Sequence, residues 1–491
     1  MRLTRTGAPL LPAGPARVET VPGWIDPIRA LALVRSRRSP ALLYSGLADR
    51  HPEARHSILA WDPVAEIAVR GAEISVTSAG TGEAKPWRLE TADPFAALRG
   101  LLPPTQSPGG LPFAGGAIGY LGYGLRGAVE RLDRGRPEPL DLPDAWFAVY
   151  DSALLFDHAA RTLRSVRLPG SDDPARAEML RRMVAAAAGG RPDTVGAAAG
   201  GTPSRAVAAA VPRVARTGTP RSAYEAAVRD VLGRIARGDL YQVNLSHRIS
   251  APLAAAPFEL FERLMRDNPA PFSAWLDAGD WQILSASPER FVELRGDVAR
   301  SSPIKGTRPR GAFPEEDLLH ADDLRTSVKD RAENVMIADL VRNDLGRVCR
   351  PGSVVVEALC RLESFATVHH LVTTVRGRLL PDRDRFDLLR ALFPGGSMTG
   401  APKVAAMQAI AALEEEERGP YSGAIGFLSC DGSCDFNIVI RTLFCGGGRA
   451  HVRVGGGIVA DSDPEREWLE TLDKARALLD VLDARLDREA I

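Results

Sequence analysis

The chain has 491 residues, with 62 Lys+Arg against 62 Asp+Glu and no acidic or basic tail, so it carries no electrostatic footprint for nucleic acid. No run of about 18 apolar residues exists to span a membrane, and Pro9, Pro12 and Pro15 interrupt the N-terminal stretch where a signal peptide would lie. The five cysteines, Cys349, Cys360, Cys430, Cys434 and Cys445, are odd in number and lack CxxC spacing, which argues for reduced thiols in a cytoplasm over disulfides or zinc.

Residues 18–168 form a first region of short alternating apolar runs between Gly and Pro. Stretches 41–45, 57–61, 65–69 and 145–150 read as strands, and short helices begin near Asp26 and Asp93. The glycine-rich run 115–123 lacks the lysine and the following helix of a phosphate loop, so it reads as a tightly packed strand. Residues 169–220 are dominated by Ala, Gly, Pro and Arg. Apart from one short helix near 174–188, they read as a mobile linker.

The third region, 221–485, opens with Ser222 and Glu225 spaced as a capping box. Tyr224, Val228, Val231 and Ile235 follow at helical spacing, and Gly238 ends the helix. A strand over 241–249 and a helix over 258–266 come next. Strands at 281–285 and 290–294 then flank Glu289, a carboxylate at a strand break that by itself reads as a turn residue.

Only five of the 62 basic residues are lysine: Lys85, Lys305, Lys329, Lys403 and Lys474. Where arginine has replaced lysine almost everywhere, a retained lysine is a candidate for chemistry that guanidinium cannot do, namely losing its proton to act as a nucleophile or base. Lys305 sits between Pro303 and Pro309, next to Gly306, with Arg308 and Arg310 placed to lower the amine's pKa or hold an anion. The same stretch in isolation also reads as a basic surface loop.

Two helices carry acidic pairs. One, over 323–345, has Asp330 and Glu333 on a face that continues through Ile337 and Leu340. The other starts at Asp463-Pro464 and aligns Glu467, Glu470 and Lys474 with Leu478 and Val481. Acidic stripes that run into apolar ones point inward, where carboxylates need a cation, and oxygen-only ligands favour Mg²⁺ over zinc. The alternative is that each pair is an ordinary surface patch. Between the helices lie a glycine-rich turn, 393–403, leading into a helix whose free N–H groups can hold a carboxylate, and alternating runs at 421–428, 435–443 and 451–459. Arg441 ends one such run, where an anionic substrate would satisfy its guanidinium. Of His369 and His370, one is expected only to pack.

Together these elements resemble the chorismate-utilising enzymes, the family of anthranilate synthase component I, aminodeoxychorismate synthase component I and the isochorismate and salicylate synthases. The resemblance rests on Asp339-Leu-Val-Arg-Asn-Asp-Leu-Gly346, Gly400-Ala-Pro-Lys403 and Gly455-Gly-Gly-Ile-Val-Ala-Asp-Ser462, is dense over 221–480 and is thinner in the N-terminal third. It implies an α/β (α+β) fold of large antiparallel sheets packed as a sandwich with helices outside, in which the three regions are stretches of sequence more than separable bodies.

The resemblance also implies roles. Glu333 and Glu470 correspond to Mg²⁺ ligands supported by Asp330 and Glu467, the shorter Asp330 acting through water. Gly455, Gly457 and Lys474 correspond to binders of the ring carboxylate of chorismate, and Tyr421 and Arg441 to binders of its enolpyruvyl carboxylate. Glu289 corresponds to a general acid and His370 to an active-site histidine, with Ser397 and Thr399 lining the glycine-rich turn. Pro303-Ile-Lys-Gly-Thr307 resembles the aminodeoxychorismate branch, since anthranilate synthases carry alanine at the position of Lys305. Gln242 stands where isochorismate and salicylate synthases place a water-activating lysine, which argues against water as nucleophile. Ammonia is then the expected co-substrate. None of the five cysteines lies in a Gly-x-Cys-x-Gly elbow, so the implied source is a separate glutamine amidotransferase subunit. The alternative within the family is anthranilate formation with loss of pyruvate. Leu42 to Ser45 resembles one wall of a tryptophan site found in some relatives.

Overall fold

The computed structural model describes residues 10–12, 14–47, 53–78, 86–91, 93–104, 110–132, 136, 138–171, 174–187, 213–253, 255–365 and 368–487. Its strands form two large sheets, one of 13 strands and one of 12. Among the described strands every pairing is antiparallel except that of Arg213–Thr217 with Ala484–Leu486.

Period-two alternation decides what lies on each face of the 13-stranded sheet. Along Ser152–Asp157, Ala153 and Leu155 enter one core, shared with Ile67, Ile118, Phe147 and Phe436 of the other sheet. Leu154 and Phe156 enter a second core, roofed by Tyr224 and Val228 of helix Arg221–Ala236, Phe261 of Pro257–Asp267 and Trp468 of Pro464–Val481. The sheets thus pack face to face with helices outside.

The N-terminal and C-terminal sequence regions share both sheets. Ala41–Tyr44 pairs with Phe272–Asp277 in one, and Gly116–Leu121 pairs with Ala424–Ser429 in the other. The glycine-rich run is the buried strand Gly116–Leu121. A side chain at Gly119 would put its Cβ 1.9 Å from the Trp146 carbonyl, so only glycine lets these strands approach.

Three local expectations change. Helix Arg221–Ala236 starts without the capping box: Pro220 is already extended, its carbonyl takes the N–H groups of Ala223 and Tyr224, and Glu225 accepts from Arg221 instead. The single helix expected over 323–345 is two, Pro314–Thr326 and Val328–Gly346. Ser327 breaks the chain between them because its hydroxyl caps the second by accepting from Asp330 N–H at 3.2 Å. The stretch expected to be a linker contains helix Pro174–Ala187 and strand Arg213–Thr217, and its residues 188–212 lie outside the described residues. No described helix is long and apolar enough to cross a membrane.

Candidate active site

Strand Trp281–Ser287 belongs to the 13-stranded sheet and Arg290–Arg295 to the 12-stranded one, so Pro288 and Glu289 are a crossing between sheets. A second crossing runs beside it from Cys434–Asn437 to Thr442–Gly446 in the opposite sense, and the Ile438 N–H donates to the Glu289 carbonyl at 2.9 Å. Residues at such crossings leave the ladder. Glu289 and Arg441 are therefore polar side chains held at the seam of the sandwich.

Glu289 is 4% exposed and accepts from the Ser397 hydroxyl at 2.6 Å. Burial raises its pKa to about 7, against the opposing pull of the Ser397 bond and the Lys305 and Arg441 cations. A carboxyl that keeps its proton near neutrality can serve as a general acid. The Arg441 guanidinium has no hydrogen bond or ion pair among the described residues, and burial lowers its pKa with Glu289 as the opposing charge. It is a partly buried cation that an anion would satisfy.

Lys305 is aimed by a bulge. In strand Ile304–Pro309, Ile304 pairs with Val372 and Thr307 with His370, so Lys305 and Gly306 together face Leu371. Gly306 adopts φ +86°, and a Cβ there would meet Asp330 Cβ and Leu324 Cδ1 at 2.9 Å. The partly buried Lys305 Nζ donates to the Ser397 carbonyl at 3.2 Å. Burial lowers its pKa and Lys474 adds to this, while Glu333, Glu289 and Glu470 oppose it. Ser397 thus touches both groups, its hydroxyl on Glu289 and its carbonyl on Lys305.

Gln242 and Gly457 close the side formed by strands Gln242–Pro252 and Arg449–Ile458. A Cβ on Gly457 would lie 2.3 Å from Gln242 Nε2 and 3.6 Å from Lys305 Nζ. Gln242 Oε1 and His370 Nε2 are buried polar atoms without a partner. His370 Nδ1 lies 2.9 Å from Thr307 Oγ1, and burial and then Arg441 lower its pKa to about 3, so its ring is neutral at working pH. His369 is the packed member of the pair, bonded to Ser364 and Asp317.

The acidic helices meet the opposite end of this space. Glu333, partly buried, has no hydrogen bond or ion pair among the described residues. Burial raises its pKa, Lys305 and Lys329 oppose, and Asp330 and Glu470 add to the rise. Glu470 is paired with Lys474 at 2.7 Å, and Lys474 also donates to the Gly455 carbonyl at 2.9 Å. One expectation needs correction here. Arg308 and Arg310 do not serve the lysine: alternation turns them to helix Pro314–Thr326 and its successor, where Arg308 binds Asp323 and Asp330 and Arg310 binds Asp317. Asp330 and Glu467 are engaged within the protein, Asp330 by Arg308 at 3.0 Å and Glu467 by the Ser462 hydroxyl at 2.5 Å. Among the described residues no three His, Cys, Asp or Glu side chains are grouped to hold a metal alone. Glu333 and Glu470 are oxygen donors of the kind that a hard ion such as Mg²⁺ takes from a protein.

Residues 40–480 match the family of chorismate binding enzymes. The chain belongs to that family. It is 43% identical over 406 residues to anthranilate synthase component 1 of Streptomyces coelicolor, covering 79% of this chain and 77% of that protein. It is 40% identical over 449 residues to aminodeoxychorismate synthase component 1 of Klebsiella aerogenes, covering 90% and 93%. The crystal structure of anthranilate synthase component I from Streptococcus pneumoniae superposes with a TM-score of 0.75 at 32% identity, covering 87% of this chain and 92% of that one.

As a chorismate-utilising enzyme, the chain brings Glu289, Lys305, Ser397, Gln242, Gly457, His370 and Arg441 around one seam. Thr399 is buried beside them, but its hydroxyl donates to the Gly395 carbonyl of its own turn at 3.1 Å. Tyr421 is buried next to Arg418, whose guanidinium lies 5.9 Å from its ring. Ser45 is elsewhere. It lines a separate cavity of about 370 Å³ with Tyr44, His56, Phe272, Arg290 and Asn437, and its hydroxyl donates to the His56 carbonyl at 2.6 Å.

A charged layer beside Tyr421 was not expected from the sequence. Glu414, Arg418 and Arg453 are joined at 2.5 and 2.8 Å and are all 5% exposed or less in their side chains. Glu414 opens a run of four glutamates that reads as solvated surface. The available signal was an arginine three residues before Tyr421.

Proposed function

We propose that this chain is aminodeoxychorismate synthase component I, converting chorismate and ammonia to 4-amino-4-deoxychorismate. The observation that carries the reading is Lys305, partly buried with its amine on the Ser397 carbonyl at 3.2 Å while the same serine holds Glu289 at 2.6 Å. A lysine with a lowered pKa is a nucleophile, and a carboxyl with a pKa near 7 is an acid able to assist a leaving hydroxyl.

In this reading the neutral Lys305 amine attacks C2 of the ring, the diene electrons shift, and the C4 hydroxyl leaves as water with the proton of Glu289. Ammonia then adds at C4 and returns a proton to the Glu289 carboxylate, the ring diene is restored, and the C2–N bond to Lys305 breaks to regenerate the neutral amine. Pyruvate is retained. Arg441, with Tyr421, binds the enolpyruvyl carboxylate, and Gly455, Gly457 and Lys474 bind the ring carboxylate. The neutral His370 and Gln242 offer uncharged polar contacts and no cation that would repel Lys305. Glu333 and Glu470 would hold Mg²⁺, which supplies charge neutralisation at the ring carboxylate.

Ammonia comes from a glutamine amidotransferase subunit. Two observations support a second component: the component 1 designation of the relatives, and the burial of all five thiols, which leaves none as a glutaminase nucleophile. Five free thiols also fit a reducing cytoplasm.

The test is a product assay of the purified chain with chorismate, Mg²⁺ and ammonium, read by mass and ultraviolet spectra. Nitrogen at C4 with the enolpyruvyl group intact is the expected product. Anthranilate with free pyruvate would overturn the reading in favour of the other branch, to which the chain is equally similar. The cavity beside Ser45 is the place to test tryptophan by calorimetric titration: saturable heat supports a site there, and its absence removes it.

A further inference from the structure

Arg418 makes five hydrogen bonds, one for each of its five N–H groups. Nε and Nη2 donate to the Glu414 carboxylate at 2.9 and 2.5 Å. Nη1 donates to the Met398 carbonyl at 2.8 Å and to Ser422 Oγ at 3.0 Å. Nη2 also donates to the Asn244 carbonyl at 2.6 Å. Those three acceptors lie on three separate segments. Met398 follows Ser397, the residue that touches both Glu289 and Lys305. Ser422 follows Tyr421 and is held at φ +64°. Asn244 is two residues from Gln242 on strand Gln242–Pro252. The guanidinium also lies 4.7 Å from the Tyr123 ring.

An arginine buried to 1% exposure with a single carboxylate within its reach is costly to bury, and Glu414 itself is shared with Arg453 at 2.8 Å and with Ser246 N and Oγ at 2.8 Å. An apolar side chain of similar volume would leave Glu414 and the Met398 and Asn244 carbonyls buried without this donor. What the planar fork supplies is a fixed angular relation among three backbone segments, and lysine cannot reproduce it.

We propose that Arg418 is a positioning residue that fixes the Ser397 turn, the Tyr421 turn and the Gln242 strand relative to one another, so that Ser397 meets Glu289 and Lys305 while Tyr421 meets the substrate. The inference rests on the reading of Glu289 as the acid and Tyr421 as a substrate contact. Arg418 touches no substrate, and it acts through residues that do. Glu289 is meanwhile faced by Ser397, Lys305, Arg441 and the Ile304 backbone, none of which Arg418 replaces.

The test uses the full chain, ammonium and Mg²⁺, and follows chorismate consumption whatever the product, so that an unexpected product and a failed inference are separate results. Arg418→Lys keeps the charge opposite Glu414 but loses the fork. It is expected to lower kcat by about 10²-fold, as a displacement of about 1 Å at a reacting group does, and to raise KM. Ser397→Ala added to Arg418→Lys should cost much less than Ser397→Ala alone, because both changes remove the same contact. Ser422→Ala removes only the Tyr421-side bond and should raise KM several-fold with kcat within about twofold. The inference is overturned if folded Arg418→Lys keeps kcat and KM within about twofold. It is also overturned if its loss matches a reduced active fraction and adds fully to Ser397→Ala. Should Arg418→Lys not fold, Ser422→Ala decides alone: an unchanged KM overturns the inference.

Discussion

Two polar regions among the described residues, the cavity beside Ser45 and the seam between the sheets, treat charge in opposite ways. In the cavity beside Ser45 the lining cations are matched: Arg290 with Glu53 and Asp435 at 2.8 and 3.0 Å, Arg55 with Asp157 at 2.7 Å, Arg295 with Glu293 at 3.2 Å and Arg300 with Glu357 at 3.3 Å. At the seam between the sheets, Arg441 and Glu333 have no such partner among the described residues, and Lys305 is held by a single carbonyl. A matched charge stabilises the fold. An unmatched one raises the free energy of the empty site, and a ligand of opposite charge removes that cost on binding. The difference marks the seam as the place for chemistry and the cavity as a place where shape and neutral polar contacts govern.

The sharpest break of this contrast is Lys305→Arg. It preserves the positive charge and removes only the capacity to deprotonate, so activity should fall as far as in Lys305→Ala, on the order of 10⁴-fold or more in kcat. A variant retaining a tenth of wild-type turnover would show that the amine supplies charge and not a bond. Glu289→Gln should lower kcat by about 10²–10⁴-fold.

The pH profile follows from the same pair. Turnover falls on the acid side as Lys305 becomes protonated and on the alkaline side as Glu289 loses its proton above about 7, and both limbs belong to the pair. Stability carries the opposite signature. Glu289 is raised from 4.5 to about 7 on folding, so its contribution is fully present below 4.5 and is lost as pH rises through 7. Glu289→Gln should therefore gain on the wild type by roughly 3 kcal/mol between those limits, read by denaturant titration at the two pH values.

Arginine truncation separates the two regions directly. Arg290→Met leaves the partly buried Asp435 and Glu53 without this cation and should cost about 2–3 kcal/mol of stability. Arg441→Met removes a cation that nothing in the protein satisfies. It should raise stability by about 1–3 kcal/mol while raising KM for chorismate about tenfold or more. If Arg441→Met destabilised the chain instead, the contrast between matched and unmatched charge would fail at its central residue.

Much of the fold was legible because its signals are local. Strands at 41–45, 57–61, 65–69 and 145–150 are short apolar runs bounded by turn residues and can be read singly, and Asp26, Asp93 and Asp463 cap helices as their side chains suggest. From local pattern alone Glu289 was readable only as a polar residue at a strand break, and its role came with the family resemblance. Its burial follows from that break being a crossing between sheets, which no local pattern encodes. Arg308 and Arg310 were misjudged because proximity in sequence was taken for proximity to Lys305, whereas strand alternation sends them to the facing helix. The glutamate run 414–417 carries no local mark of its partners. Glu414 meets Arg418 and Arg453, Glu416 meets Arg248 and Glu417 meets Arg126, so three of four acids in an apparently solvated run are partnered across the fold.

The amino-acid sequence by itself determined the family, through long motifs such as 339–346 and 455–462, and singled out Lys305, because a residue type retained against the composition needs no coordinates to be noticed. It determined, too, that the glycine-rich run 115–123 would be a tightly packed strand. What only the tertiary structure decided is which of these groups share a site. Ser397 lies 92 residues from Lys305 and 108 from Glu289 and bonds to both. Arg418 ties that turn to Asn244, 174 residues away. Such contacts form because two sheets exchange strands at one seam, and the physical consequence, a pocket whose charges are left unpaired while those around it are matched, is a property of the packed chain that no stretch of it carries alone.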